Sequence, residues 1–281
     1  MAIVVKNCEI NNQPSLWGSV VKSLGTTRGC ATLFDWAGKV SKLVAESGKA
    51  WAPMKAVGEM SSTGLSGLEF PYLVYILDAS VGSATRLING NFGFKAVSEF
   101  IANSTDAVAS MVGVVDRILP GVVPGALVNM SEMLETTSKV ADLGLQGHTW
   151  AKNRAYIRHF SDDNRVDWET SPILAKPVRQ QYLGGISGMS NIGMREDYTS
   201  PALQGGVEAQ NTNIVLKIAK TILNLAMKVL KAFNVQALSG RTRAAICALA
   251  ASFGLAAELR ANYGTFSNLK LDFAPAGALA V

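Results

Sequence analysis

Between Asn213 and Phe233, Lys217, Lys220, Asn224, Lys228 and Lys231 recur at three- and four-residue intervals. At about 100° per residue this gathers them into one narrow stripe of a helix. Nearly every other position is apolar, including Ile214, Val215, Leu216, Ile218, Ile222, Leu223, Leu225, Met227, Val229 and Leu230. A surface helix normally buries one stripe and solvates the rest; this segment reverses the proportion. Two arrangements satisfy it. The helix can lie in a membrane interface, its lysines toward anionic headgroups and its broad apolar face in the acyl layer. Alternatively, neighbouring helices enclose it and the lysine stems reach out to solvent or to carboxylates. Composition favours enclosure. Hydrophobic residues are 48% of the chain and charged residues only 17%, against about 25% charged in ordinary domains. Mean hydropathy is +0.20, so such a chain contains deeply buried helices, or carries apolar patches that need a partner.

The segment that follows is built to pack closely. Beyond a hinge at Ser239-Gly240, the helix Arg241–Asn262 is rich in Ala, with Ala250-x-x-x-Gly254 and Ser252-x-x-x-Ala256 on its surface. Small residues at this spacing let a second backbone approach, in protein as in lipid, and close packing in protein is the favoured outcome here. A cationic helix, a short hinge and a small-residue helix, taken together over 213–262, resemble the peroxins that elongate peroxisomal membranes. The resemblance is one of pattern and carries no site residue with it.

Upstream, the chain reads as successive amphipathic helices. Leu33, Phe34, Ala37, Val40 and Val44 recur at helical spacing until Pro53. Pro71 opens a second helix that continues to Asn89-Gly90. In Lys95–Leu119, Val97, Ile101, Val108, Met111, Val115 and Ile118 form one face, with Ser98, Glu99, Asn103, Asp106 and Ser110 opposite. Asn129 and Glu132 suggest a capping box for a helix running toward Phe160, with Gly144 and Gly147 as candidate breaks. Between Ser161 and Thr212 periodicity disappears among Pro172, Pro177, Pro201 and several glycines. Tyr182, Ile186, Met189, Ile192 and Met194 punctuate this stretch, which predicts an arm lying in a groove of its own chain or a neighbour's. The expected organisation is a helical domain over 1–160, an extended Gly/Pro-rich arm over 161–212, and a C-terminal helical pair with an apolar tail over 213–281.

Residues that carry chemistry are scarce. His148 and His159 are the only histidines, and neither sits in a recognisable catalytic setting. His159, Asp162 and Asp163 lack a standard metal-ligand spacing. Glu46-Ser-Gly-Lys49 lacks the upstream glycine and the hydroxyl residue of a phosphate loop. Lys152, Arg154 and Arg158, interleaved with Trp150 and Tyr156, could engage nucleic acid. Asp162, Asp163, Asp167 and Glu169 follow at once and would repel phosphates, so a solvated basic helix end is preferred. Cys8, Cys30 and Cys247 form no CxxC pair and read as reduced thiols. The opening apolar run is too short for a signal peptide. The uncharged stretch Ala244–Ala257 falls short of the roughly 20 residues of a membrane span.

These readings predict an all-α, multi-helix, bundle-like fold with a long arm and a C-terminal hairpin. They predict a cytoplasmic, non-enzymatic protein without cofactor or metal. Its first expected role is a self-assembling subunit of a filament, shell or other homopolymer, with itself as partner. The alternative is a peripheral protein that binds or shapes an anionic membrane through 213–233. The interface residues expected in either case are Lys217, Lys220, Lys228, Lys231, Tyr182, Ile186, Met189, Ile192, Met194 and Gly254.

Overall fold

A computed structural model describes residues 3–10, 16–48, 52–161, 192–232, 238–263 and 266–273. Among these residues the fold is all-α, with helices α1 (Leu16–Leu24), α2 (Thr27–Glu46), α3 (Ala52–Ile88), α4 (Phe94–Ile118), α5 (Gly125–Ser161), α6 (Ile192–Ala232) and α7 (Gly240–Tyr263). The one addition is a pair of strands, β1 (Ile3–Ile10) and β2 (Phe266–Phe273). They run antiparallel, from Ile3 opposite Phe273 to Ile10 opposite Phe266, with irregularities on either side of Asn7. Leu269, Leu271 and Phe273 alternate with Lys270 and Asp272 at the strand period, a short signal beside the helical periodicity of the rest of the chain.

Three sequence expectations are corrected. Pro71 does not open a helix but lies inside α3, and Pro53 sits in its first turn rather than ending α2. Proline removes one ladder hydrogen bond, and α3 continues through it because the helix is held on both sides of Pro71. Its N-terminal half packs on α2, where Ser41 Oγ donates to the Met54 carbonyl. Its C-terminal half packs on α4, where the Ser80 and Ser104 hydroxyls meet at 3.0 Å. Secondly, Gly144 and Gly147 do not break α5, which is continuous to Ser161. Thirdly, the helix expected from Asn213 begins at Ile192, inside the stretch read as irregular. Gly205-Gly206 argued against helix there, but Gly206 and Val207 are buried, and packing outweighs an intrinsic penalty of about 1 kcal/mol per glycine.

The chain divides into two compact units that interleave in sequence. The larger comprises 23–149 and 214–258; the smaller comprises 1–22, 150–213 and 259–281. The division is therefore not a run of consecutive segments, since β1 and β2, from opposite ends of the chain, pair within one unit. In the smaller unit Tyr156 and Val207 are buried together with Asn153, Asn211 and Asn213.

The larger unit has an interior of small side chains. Ala96, Ala102, Ala107, Ala244, Ala248, Ala250, Ala251 and Ala257 are buried, as are Ser41, Ser61, Ser83 and Ser98. Leu73 and Ile76 are its only large buried apolar residues among those described. Helices meet through polar contacts as well as close approach. Asn103 Nδ2 donates to the Ala79 carbonyl at 3.3 Å, and Trp36 Nε1 on α2 donates to Ser252 Oγ on α7 at 3.1 Å. Arg86 pairs with Glu99, and Arg117 with Glu69, along the α3–α4 contact. Gly64 lies under the Phe34 ring, where a Cβ would stand 2.8 Å from ring carbons.

Candidate functional site

In the larger unit the lysine stripe of α6 faces the other helices. Lys228 Nζ donates to Glu135 Oε2 on α5 at 2.5 Å, and Glu135 also accepts from Lys139 one turn on. Lys231 Nζ donates to Glu132 Oε1 at 2.6 Å. Lys220 crosses the small-residue face of α7. A Cβ on Gly254 would lie 2.9 Å from Lys220 Cδ and 3.0 Å from its Nζ. Lys217 is partly buried, among the charges of Arg28, Glu258 and Asp142. On the opposite side of α6, Val215, Ile222 and Val229 recur every seven residues and are about half exposed. Lys217, Lys220 and Lys228 are thus half-buried on the side of α6 where Val215, Ile222 and Val229 are not, while Lys231, its side chain 74% exposed, reaches Glu132 at the surface.

The titration behaviour follows from this enclosure. Burial disfavours the charged forms of Lys217 and Lys220 and lowers both pKa values below the usual ammonium range. Burial likewise raises Asp106 and Asp142 above the usual carboxylate range. Glu135 is the exception. Burial pushes it upward, but the hydrogen bonds from Lys139 and Lys228 outweigh that and hold it below its ordinary value. The Tyr72 hydroxyl meets Asp106 Oδ2 at 3.5 Å; burial, then the Asp106 charge, push the phenol up to about 12.

On α3 and α4 apolar residues likewise face outward. Phe70, Val74, Leu77, Val81 and Ile88 share one stripe of α3, and all are exposed, Phe70 by 67% and Ile88 by 83%. At about 1.5 Å per residue the stripe is about 27 Å long; Asp78 borders it. On α4 the apolar face read from the sequence is the outer one: Ile101, Val108, Met111, Val115 and Ile118 are exposed. The face turned to α3 carries Glu99, Asn103, Ser104 and Asp106. Each stripe therefore lies on the side of its helix away from the other.

The structure brings together five of the residues anticipated from the sequence: Lys217, Lys220, Lys228, Lys231 and Gly254. Tyr182, Ile186 and Met189 lie outside the described residues. Ile192 and Met194 stand in the first turn of α6, in the smaller unit, rather than in an irregular arm. Sequence reasoning missed Glu132 and Glu135 as lysine partners. Their three-residue spacing put them on one face of α5, but no local signal tied that face to α6.

His148 stacks at a tilt on Phe94, with centroids 5.5 Å apart. Among the described residues no group of three His, Cys, Asp or Glu could hold a metal. One segment there, Gly240–Ala261, is long and apolar enough to cross a membrane, which extends the shorter run read from sequence. It is partly enclosed, with Ala248, Ala251 and Ala257 buried. The chain matches no protein-family model, no curated protein and no solved structure.

Proposed function

We propose that this protein is a non-enzymatic structural component of membrane surfaces, which it engages through the outward apolar stripes of its helices. One observation carries the reading: Phe70, Val74, Leu77, Val81 and Ile88 are exposed on α3 while lysines, carboxylates and hydroxyls occupy the helix contacts. Water favours the opposite distribution, whereas lipid gives apolar side chains no reason to hide and leaves small and polar residues to join helices. Glu69, Asp78, Glu99 and Asp106 interrupt α3 and α4, so these helices suit burial of one face at the interface rather than a span. The contact surface moves from the lysine stripe of α6 to the aliphatic stripes, since Lys228 and Lys231 are held by glutamates. The unbridged thiols of Cys30 and Cys247 suit a cytoplasm-facing location.

The test is co-sedimentation with neutral phosphatidylcholine vesicles. Wild-type protein binds, and Val74→Glu with Val81→Glu abolishes binding while helix content by circular dichroism is unchanged. Wild-type protein left in the supernatant overturns the reading.

Self-assembly into a homopolymer is the second reading, favoured by the placement of the α3 and α4 stripes on sides turned away from each other. Two unlike apolar faces allow head-to-tail contacts, which propagate when the rotation does not close. Filaments or shells in negative-stain images of lipid-free protein would establish it. The same glutamate pair would then dissolve them.

A further inference from the structure

The outward stripe of α3 is more sharply ordered than contact with lipid requires. Phe70, Val74, Leu77, Val81, Ala84 and Ile88 are spaced alternately by four and three residues, the heptad spacing of a coiled-coil seam. Val74, Val81 and Ile88 recur every seven residues and are all β-branched; Leu77 and Ala84 fall between them. β-Branched residues at the first seam position, with Leu at the second, favour two parallel helices. A helix that serves lipid alone has a broad apolar face edged by Lys and Arg. From Phe70 to Ile88 the only charged residues are Asp78 and Arg86, and Arg86 is held by Glu99. The flank toward α4 is already filled, since Leu73 and Ile76 are buried and Ser80 meets Ser104. A second helix can therefore lie along the seam without displacing α4. The size of the seam sets the strength of the contact. Its five large side chains each remove roughly 60–120 Å² of apolar surface when fully covered, so together they offer on the order of 400 Å² per copy. A standard stable interface takes about 800 Å² per partner. The seam suits a weak, reversible pairing.

We propose that in water the α3 seam is covered by the α3 seam of a second copy, the two helices running parallel, and that a bilayer displaces this copy. Water penalises the exposed stripe, and a like seam on a second chain is the partner its spacing fits. The pairing is isologous and closes on itself, so it yields a dimer and not the head-to-tail polymer that unlike faces would give. Lipid and the second copy compete for one surface. A contact of half the standard area gives way by mass action when lipid is in excess. The dimer thus keeps the stripe out of water until a membrane is met. The pairing stands on the seam alone; only its displacement rests on the membrane reading.

Sedimentation velocity of the lipid-free, full-length protein tests the pairing. Monomer and dimer should exchange with concentration in the micromolar range. Val74→Glu with Val81→Glu should leave monomer only, with helix content by circular dichroism unchanged. Mild oxidation should join Ala84→Cys into a covalent dimer, because that position lies on the seam. Gly82→Cys, two residues away and off the seam, should cross-link no more than wild-type protein with its own cysteines. The oxidised Ala84→Cys dimer should lose binding to neutral phosphatidylcholine vesicles and regain it on reduction. Wild-type protein that stays monomeric at every concentration overturns the proposal, and vesicle binding by that monomer leaves the membrane reading standing. Equal cross-linking at Gly82→Cys overturns the seam. Filaments that form without cross-linking at Ala84→Cys overturn it in favour of head-to-tail assembly. Vesicle binding by the oxidised dimer that matches the reduced protein overturns the competition. Cross-linking at Ala84→Cys in a protein that binds no vesicles keeps the pairing and removes the membrane reading, together with the displacement that rests on it.

Discussion

Lys220 lies along Gly254, with its Cδ 2.9 Å from the point a Cβ would occupy. Lys220 from the lysine stripe of α6 and Gly254 from the small-residue stripe of α7, separate features of the sequence, are two sides of one contact. Glycine is required by the thickness of the lysine stem rather than by backbone conformation. Gly254→Leu should therefore cost about 1–3 kcal/mol, the usual penalty of overpacking, whereas Gly254→Ala should cost less because the end of Lys220 can swing aside. Urea denaturation followed by circular dichroism measures both. An unchanged midpoint for Gly254→Leu would show that the two helices do not meet there.

The buried lysines set an alkaline pH dependence. Lys217 and Lys220 have folded pKa values below the ordinary 10.5. In the window between the folded value and 10.5 the unfolded chain binds more protons, so stability rises with pH there. Lys217→Met with Lys220→Met should reduce this rise, leaving the part due to Lys139, which burial also lowers, and raise stability near neutral pH, because the cost of burying two ammonium groups disappears. Tyr72 acts in the opposite sense above pH 10: its folded pKa of about 12 means that stability falls as pH climbs from 10 to 12. Thermal melts from pH 7 to 11 should show a larger lysine rise in wild-type protein than in the double variant, which retains Lys139. Identical profiles would place the lysines in solvent.

Much of the fold was legible because helical periodicity and stop signals are local. Pro120-Gly121 ends α4, and Gly93 opens it, close to where the pattern placed both boundaries. The orientation of the helices was not legible. A wheel with Ile101, Val108 and Val115 on one side and Asn103 and Asp106 on the other states that two faces differ, not which of them meets a neighbour. In water the apolar face turns inward by default; the partners Ser80, Ala79 and Tyr72 that turn it outward lie some 24 to 34 residues away. The strand pair was hidden for a related reason, since Ile3 and Phe273 stand at opposite ends of the chain. For the candidate site, the lysines and Gly254 announced themselves by spacing. Glu132 and Glu135 did not, being ordinary-looking acids on a helix remote in sequence from α6.

The Lys228–Glu135 pair should be measurable but small. Its side chains are 25% and 41% exposed, and Glu135 retains Lys139 as a second donor when Lys228 is removed. Solvent screening then limits the coupling in a double-mutant cycle of Lys228→Met and Glu135→Gln to about 0.5–1 kcal/mol. Salt at about 1 M, where the Debye length is about 3 Å, should reduce it further. A coupling of zero at low salt would mean that α5 and α6 are not joined by this pair.

The inversion of α4 has the sharpest consequence, since adjacent residues should respond in opposite ways. Ala107 is buried at 4% exposure, and Val108, the next residue, is 44% exposed. If the apolar face of α4 were the core, Val108→Ala would remove buried methyl groups and cost about 1 kcal/mol or more. Ala107→Leu would then project into solvent without effect. With α4 turned as found, Val108→Ala should change stability by about 0.5 kcal/mol or less, as surface substitutions do. Ala107→Leu should overpack the interior and cost about 1–3 kcal/mol. Lipid adds a second axis to the experiment. Val108→Ser should leave the lipid-free protein as stable as wild type yet weaken vesicle binding, because the lost methyl groups contact the acyl layer only when it is present. Val108→Ala costing more than Ala107→Leu in lipid-free urea titrations would return the apolar face to the core and withdraw the outward stripe on α4.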